Sequence, residues 1–470
     1  MLLNSYSFLL IFLPLVVVLF WVIPRGYPRL LFLSAASLVF YGLWDWRYIP
    51  LLLGTTLVDW VAGRLLSRRE GEEGADGRRR RKLILAAAVA INLGILGYFK
   101  YRGFFVNSLD GLFRLVGAGE PLPALRVLLP IGISFYTFAG ISYAVDVYRA
   151  TIRPAKSIVH YLAWVTLFPY ILAGPIIRYG HVGAQLERAQ QRFRWSLIGT
   201  GLFFLVMGLA KKMLVADMMA PSVNELFSHH ALLGLWSGWG AALGYTLQLY
   251  FDFSGYSDMA VGVAFMIGLR FPQNFASPYK AANVSDFWRR WHMTLSSWLR
   301  DYLFIPLGGS RGSQLMTVRN LLITFLLGGL WHGPAWTFVA WGLLWGIYLS
   351  VHSTLRKYGF TPKWVWLNRV ITFVCATVAW VFFRASSLRA AGDVLQAMLG
   401  LNGVNGEYTL KLAPVLAAFI AGGLLWVNLA PNTWEIKPAP KLRFALLLGL
   451  LLAVSLLALS KPSAFLYVQF

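Results

Sequence analysis

The chain has 470 residues, of which 58% are hydrophobic and only 13% are charged, and its formal net charge is +23. Soluble domains carry roughly 25% charged residues, so this composition excludes an ordinary soluble protein and predicts an all-α, polytopic membrane protein. The lysines and arginines lie mainly between apolar stretches, as in loops that face an anionic cytoplasmic leaflet. We therefore expect the lipid bilayer as a partner and no nucleic acid.

Three apolar spans are predicted before the first charged loop, at about residues 6–23, 30–43 and 48–66. The first is followed by Pro24 and Arg25 instead of a small-residue cleavage site, which predicts a retained span and not a signal peptide. Residues 67–82 then form a mixed-charge loop that ends in four arginines and a lysine. The positive-inside rule places this loop in the cytoplasm.

The middle of the chain contains two predicted interruptions. After spans at about residues 83–99 and 125–148, the apolar run 158–177 contains Pro169 and Pro175 and has basic residues on both sides. This pattern favours a re-entrant hairpin on the cytoplasmic side. Further spans are predicted at about 197–215 and 232–253, and a second broken or re-entrant element is predicted between Ser254 and Gly268.

The remaining predicted spans are near residues 365–383, 414–429 and 444–459, in addition to the apolar run 318–352. Together these give roughly eleven crossings. Cys375 is the only cysteine, which excludes an internal disulfide and a cysteine zinc site. We find no internal repeat or soluble linker, and we predict a single membrane domain over residues 1–470, with a core at about 129–352 and C-terminal spans at about 365–470.

His292 lies in a basic, tryptophan-rich stretch, residues 284–303, whose apolar side chains fall on one face at helical spacing. Asp286 and Arg290 have the i,i+4 spacing of an ion pair on that helix. One interpretation, which the periodicity favours, is an interfacial helix with His292 at the lipid headgroups. The other is a helix that turns His292 and its arginines toward an internal polar cavity.

His332 lies inside the apolar run 318–352, within the sequence GGLWHGPAW. Gly333 and Pro334 loosen or break a helix here, and irregular backbone at membrane depth is tolerated where it lines a cavity or is buried in protein. An ionisable side chain at that depth is by default a functional-site hypothesis. A satisfied core histidine and a catalytic or pathway histidine are equally favoured at this point.

Asp252 and Asp258 also lie in an apolar stretch, QLYFDFSGYSD, and require partners there. We expect Arg, Ser, Tyr or His side chains of neighbouring helices to supply them, in a structural pairing more than a catalytic one. The sequence contains no G-x-S-x-G elbow, no H-E-x-x-H and no G-x-x-x-x-G-K-[ST] loop. Hydrolase, metalloprotease and NTPase functions therefore lack support, and no metal site is predicted.

Six motifs resemble the membrane-bound O-acyltransferase family, in particular its bacterial branch that modifies alginate and teichoic acids. They are LPIGISFYTF (129–138), LFPYILAGPIIR (167–178), QLYFDFSGYSDMA (248–260), PQNFASPY (272–279), DFWRRWHMTLSSWLRDYLFIPLGG (286–309) and LLGGLWHGPAW (326–336). They occur in unbroken order across about residues 129–352, which makes the resemblance specific. The spans after about residue 364 match only in general character.

The resemblance implies transmembrane and re-entrant helices around a central tunnel that joins the two membrane faces. It also implies transfer of an acyl group from a cytoplasmic thioester to a hydroxyl, with His332 as general base and His292 assisting. An imidazole is suited to accept a proton at neutral pH, and without an obvious thiol nucleophile direct transfer is the simplest course. Further candidates for contact with substrate or donor are Arg289, Arg300, Asp252 and Trp331.

We therefore predict an O-acetyltransferase of the bacterial inner membrane that takes acetyl from acetyl-CoA for the O-acetylation of an exported polysaccharide such as alginate. Acetyl-CoA is a donor substrate here, and no permanently bound cofactor is expected. The branch implies a polysaccharide acceptor and separate periplasmic acyltransferase partner proteins. Two alternatives stay open: D-alanyl transfer to teichoic acid from a carrier protein, and a membrane transporter with no bond-making step.

Overall fold

Helices make up the regular structure of this chain. The computed structural model describes residues 1–67, 74–117, 128–172, 174–187, 192–360, 363–406, 408, 413–437, 441–459 and 466. Within these ranges β pairing is limited to one isolated bridge, between Leu233 and Gly406. The all-α prediction is confirmed. Two compact units divide the chain: Met1–Leu202 with Ala260–Pro272, and Phe203–Met259 with Gln273–Phe470. The prediction of one domain stays a prediction.

The first unit contains the N-terminal helices. They are α1 (Leu13–Val22), α2 (Tyr27–Asp45), α3 (Ile49–Leu66), α4 (Ala75–Leu96), α5 (Arg102–Leu115), α6 (Ile133–Tyr148), α7 (Ile158–Val165), α8 (Tyr179–Glu187) and the start of α9 (Trp195–Ala210). The four arginines and the lysine predicted to end a loop lie instead in the first turns of α4, since Arg and Lys are good helix formers. Residues 68–73 of that loop, 125–127 of a predicted span and 188–191 of a basic stretch lie outside the described residues.

The predicted interruption at residues 158–177 is confirmed as a helix break. Helix α7 ends at Val165, and the chain beyond it runs without helix while Tyr170 and Ile177 stay buried. Side chains satisfy part of the hydrogen bonding of the backbone at this break. Trp164 donates its indole N–H to the carbonyl of Ile177 at 3.2 Å, and the Tyr170 hydroxyl donates to the carbonyl of Trp164. Buried non-helical backbone is what a re-entrant segment requires.

The second unit contains the remaining helices. They are the end of α9, α10 (Asp217–Ser228), the start of α11 (Leu235–Met266), α12 (Val284–Arg290), α13 (Met293–Leu299), α14 (Gln314–His332), α15 (Trp336–Lys357), α16 (Val365–Arg384), α17 (Leu388–Met398), α18 (Ala413–Leu429) and α19 (Leu442–Ala458). The second predicted break is wrong, because α11 runs unbroken through Gly255. A Cβ at Gly255 would lie 2.7 Å from the carbonyl oxygen of Gly208, so this glycine permits close helix packing.

Six helical segments of the described residues are long and apolar enough to cross a membrane. They are Tyr27–Leu66, Ala75–Leu115, Trp195–Ser228, Gln314–His332, Trp336–Lys357 and Val365–Arg384. Three shorter apolar helices are Ser7–Val22, Ala413–Leu429 and Leu442–Ala458. A multi-pass membrane protein is thus confirmed, whereas the count of eleven crossings stays a prediction.

Helices α14 and α15 pack closely at two glycines, Gly329 of α14, one turn before His332, and Gly342 of α15. A Cβ at Gly342 would lie 2.3 Å from the carbonyl oxygen of Phe325, and a Cβ at Gly329 would lie 2.3 Å from that of Phe338. Backbone atoms cannot rotate away as a side chain can, so the helices would have to separate. Close approach through small residues is a common way to pack membrane helices.

We expect Gly342→Ala to destabilise the protein by about 1–3 kcal/mol, the usual cost of overpacking. Thermal unfolding in detergent, followed by tryptophan fluorescence, measures this effect. Gly449→Ala in α19 is the control, since a Cβ there meets nothing within 4 Å. Equal unfolding temperatures for the two variants would contradict the close packing of α14 on α15.

Candidate active site

His332 is the last residue of α14 and lies in an aromatic pocket. The predicted helix break is confirmed: α14 ends at His332 and α15 begins at Trp336. A side chain at Gly333 would meet the Phe338 ring at 2.1 Å. The His332 ring lies edge-on to Trp341, with centroids 4.8 Å apart, and 5.1 Å from the Phe383 ring. It is 6% exposed, so the imidazole is largely shielded from bulk water.

His292 occupies a break between two short helices, which corrects the predicted continuous helix 284–303. Helix α12 ends at Arg290 and α13 begins at Met293, and His292 has the left-handed φ of 41°. The cause is tertiary, because the non-helical segment 274–276 binds the backbone on both sides of the break. Met293 N–H donates to the Asn274 carbonyl at 2.9 Å, and Ala276 N–H donates to the Arg290 carbonyl at 2.9 Å. Non-glycine residues with such φ are uncommon and concentrate at functional sites.

The His292 side chain is fully buried, at 0% exposure. The interfacial interpretation is therefore wrong for this residue, although the Asp286–Arg290 ion pair is confirmed at 3.0 Å. Burial lowers the pKa of His292 below its ordinary value, so the ring is neutral at pH 7. Its Nδ1 lies 3.1 Å from Oδ1 of Asn274.

Trp331 brings the two histidines together. Its ring centroid lies 6.4 Å from that of His292 and 5.0 Å from that of His332. The two imidazoles, forty residues apart in sequence, are therefore separated by no more than the sum of those distances. Trp331 is 3% exposed, so both histidines lie in one buried site of the second unit. Their roles stay predictions, but their convergence makes a joint role possible.

A cluster of aromatic rings from several helices surrounds this site. Trp341 stacks on Trp380 at 5.9 Å, and Trp380 in turn lies 4.7 Å from Trp291. Such walls exclude water and strengthen every electrostatic interaction inside them. Three tryptophans of this cluster were not predicted from the sequence as part of the site: Trp341, Trp345 and Trp380. The i,i+4 spacing of Trp341 and Trp345 on one face of α15 was the available signal.

A cavity of about 390 Å³ in the second unit is lined by residues of α12, α13, α14 and α15, and its volume is in the usual range of ligand sites. Two candidate residues, Arg289 and Arg300, line it, and both are exposed. Arg300 also pairs with Asp301 at 2.7 Å. Hydroxyl groups share the wall, from Ser285, Ser296, Ser297 and Thr324. Met293, which directly follows His292 in the chain, lines it as well.

Comparison with known proteins decides the family. Residues 133–389 match the sequence profile of MBOAT, the membrane-bound O-acyltransferase family. A protein of Azotobacter vinelandii named "Probable alginate O-acetylase AlgI" is 41% identical over 87% of this chain and 80% of its own length. The chain belongs to the membrane-bound O-acyltransferase family. It is thus an O-acyltransferase, which goes against the transporter alternative.

Other relatives of this O-acyltransferase act on different polymers, as their names state. The "Peptidoglycan O-acetyltransferase" of Helicobacter pylori is 37% identical over 86% of this chain and 81% of its own. The "Teichoic acid D-alanyltransferase" of Bacillus subtilis is 29% identical over 55% of this chain and 68% of its own. The predicted resemblance to the bacterial branch of the family is confirmed.

Asp252 lies in a buried ion-pair network of the O-acyltransferase. Its carboxylate lies 2.6 Å from Nζ of Lys212, which also contacts Asp217 at 2.7 Å. Next to this pair, Lys211 binds Asp258 at 2.7 Å. The prediction of Arg, Ser, Tyr or His partners is wrong for the ion pairs, because the partners are two lysines. Both lie within the predicted apolar span 197–215 and were not predicted as partners. Donor contact by Asp252 stays a prediction, and the observed contacts favour pairing.

Proposed function

We propose that this O-acyltransferase works in the bacterial inner membrane and acetylates an exported polysaccharide such as alginate, with acetyl-CoA as the cytoplasmic donor. The observation that carries the proposal is the presence of two buried histidines around Trp331, in the same unit as a cavity lined by arginines. The alginate O-acetylase name of a relative 41% identical over most of this chain supports the polymer class. Separate periplasmic acyltransferase proteins complete the delivery to the polymer.

The site suits direct transfer between a thioester and a hydroxyl. The hydroxyl oxygen bonds to the acetyl carbonyl carbon while its proton passes to His332 as general base. The carbon–sulfur bond then breaks, and the leaving thiolate takes up a proton, so that an ester and a free thiol are formed. The aromatic walls keep water from competing with the hydroxyl for the acetyl group. His292, which also contacts Trp331, assists.

Arg289 and Arg300 are suited to hold the phosphates of acetyl-CoA, since guanidinium groups bind phosphate oxygens in bidentate fashion. Replacing both by Gln should raise the KM for acetyl-CoA by roughly 10- to 150-fold, which corresponds to the loss of one charge-assisted hydrogen bond of about 1.5–3 kcal/mol. The kcat should change little, because neither side chain reaches the reacting carbon in this proposal. Initial rates of thiol release at several acetyl-CoA concentrations measure both constants.

Arg311→Gln is the matched control for this pair, because Arg311 is exposed and does not line the cavity. Its KM should equal that of the unchanged protein. Equal increases in KM for the Arg289/Arg300 double variant and for Arg311→Gln would indicate a general charge effect and count against the cavity as the donor site.

The proposed function is tested in cells that lack this gene and its acetylated polymer. Reintroducing the gene should restore alkali-labile acetyl groups on the exported polysaccharide, measured by NMR of the purified polymer. The appearance of ester-linked D-alanine, or of no ester, would overturn the proposal. D-alanine in particular would favour the second candidate function, D-alanyl transfer. The similarity to the D-alanyltransferase of Bacillus subtilis supports that candidate.

A further inference from the structure

Asn274 makes the shorter of two side-chain contacts to Nδ1 of His292, at 3.1 Å against 3.5 Å for the Thr294 hydroxyl, whose own proton is donated to Oδ1 of Asn274. We infer that Asn274 fixes His292 as the tautomer with its proton on Nδ1, so that Nε2 carries the lone pair and acts as the acceptor. Asn274 is thus a positioning residue, which acts through His292. The effect of this tautomer on catalysis rests on the proposed function, whereas the tautomer itself follows from the hydrogen bonds around Asn274.

The orientation of the Asn274 amide follows from its neighbours. Oδ1 lies 3.3 Å from the backbone nitrogen of Thr294, and a backbone N–H can only donate. Oδ1 also accepts from the Thr294 hydroxyl at 2.9 Å, while Nδ2 donates to the Ser257 hydroxyl at 3.1 Å. A flipped amide would place Nδ2 against the Thr294 N–H. The oxygen therefore faces His292.

The tautomer of His292 follows from that orientation. A neutral imidazole has one donor nitrogen and one acceptor nitrogen. Because Oδ1 of Asn274 can only accept, Nδ1 of His292, at 3.1 Å, must donate. Nε2 is then the acceptor. Neutral His292 can therefore receive a hydrogen bond or a proton at Nε2, but it cannot donate from Nε2 to an oxyanion.

The same residue also holds the backbone of His292. The Asn274 carbonyl accepts the N–H of Met293 at 2.9 Å, directly after the left-handed φ of 41° at His292. Phe253 of α11 lies edge-on to the imidazole at 4.7 Å. Ring and backbone are thus fixed before substrate arrives, which is the arrangement that a precise acceptor needs.

Asn274→Leu tests the inference, since leucine has a similar size but no acceptor. We expect kcat for acetyl transfer to fall roughly 10²-fold, the lower range for loss of proton-transfer catalysis, with little change in the KM for acetyl-CoA. Asn274→Asp keeps an acceptor toward Nδ1, as in catalytic triads, and should retain most of kcat. Ser257→Ala removes only the Nδ2 partner and is the matched control.

The tautomer itself is measured without substrate, by ¹⁵N NMR of histidine-labelled protein in nanodiscs, with His292→Gln to assign the signal. We expect a protonated Nδ1 and an unprotonated Nε2 in the unchanged protein, in Asn274→Asp and in Ser257→Ala, and loss of this pattern in Asn274→Leu. A proton on Nε2 in the unchanged protein, or unchanged kcat and tautomer in Asn274→Leu, would overturn the inference. Absence of acetyl transfer in the unchanged protein would instead count against the proposed function, and the NMR result would still stand.

Discussion

Replacing His332 by Ala should lower acetyl transfer by about 10²- to 10⁴-fold, the range attributed to general acid–base catalysis. The imidazole is the proposed acceptor of the hydroxyl proton, and alanine offers no group for that step. The loss should appear in kcat, because His332 lies among the rings of Trp331, Trp341 and Phe383 and not in the arginine-lined cavity. Thiol release by purified protein measures the effect.

His352→Ala is the matched control, because His352 is a second histidine of the apolar run, half-buried on α15. Its rate should lie within about twofold of the unchanged protein, as expected of a substitution away from the chemistry. Both variants must reach normal abundance in the membrane. Full activity of His332→Ala at normal abundance would remove His332 from the mechanism.

The second large effect is on stability, at Lys212. Lys212 is 1% exposed and binds both Asp217 and Asp252. Lys212→Leu leaves two carboxylates buried without this cation, and breaking a buried pair costs about 3–5 kcal/mol. We expect a lower unfolding temperature and reduced abundance in the membrane. Thermal unfolding of the purified protein in detergent measures the difference.

Asp252→Leu should be less destabilising than Lys212→Leu, because Lys212 then keeps Asp217 as a partner at 2.7 Å. The double variant Lys212→Leu with Asp252→Leu should recover part of the lost stability, since it removes the carboxylate along with its cation. Two results would contradict this energetic role of the ion-pair network. One is a Lys212→Leu variant as stable as the unchanged protein, and the other is a double variant whose loss of stability equals the sum of the two single losses.

Local sequence signals predicted the fold well where a single helix determines its own ends. The Gly–Pro sequence after His332 predicted the end of α14, and the hydropathy of the last three spans predicted α16, α18 and α19. Pro169 predicted the break after α7. Each of these depends on residues close in sequence. The second break was predicted because the apolar run continues past the predicted span to Gly268, and one long helix, α11, accounts for that length.

The site itself depends on contacts between distant residues, which periodicity cannot reveal. The break at His292 comes from backbone bonds to Asn274, eighteen positions earlier. Helical periodicity treated this stretch as one helix and so placed His292 at the membrane surface. Its meeting with His332 depends on the packing of both rings near Trp331. The sequence pointed to both histidines, the resemblance implied their roles, and the structure shows where they lie.

The central claim is that this chain itself moves an acetyl group from a thioester to a hydroxyl at the two histidines. Its most direct test supplies acetyl-labelled acetyl-CoA to proteoliposomes that contain the purified chain, with hydroxyl acceptor present, and follows thiol release together with ester-bound label. We predict that ester-bound label and free thiol appear in equal amounts, and that both fall together in His332→Ala. Acetyl-CoA that binds and stays intact, or thiol release that is equal in the unchanged protein and in His332→Ala, would contradict the claim.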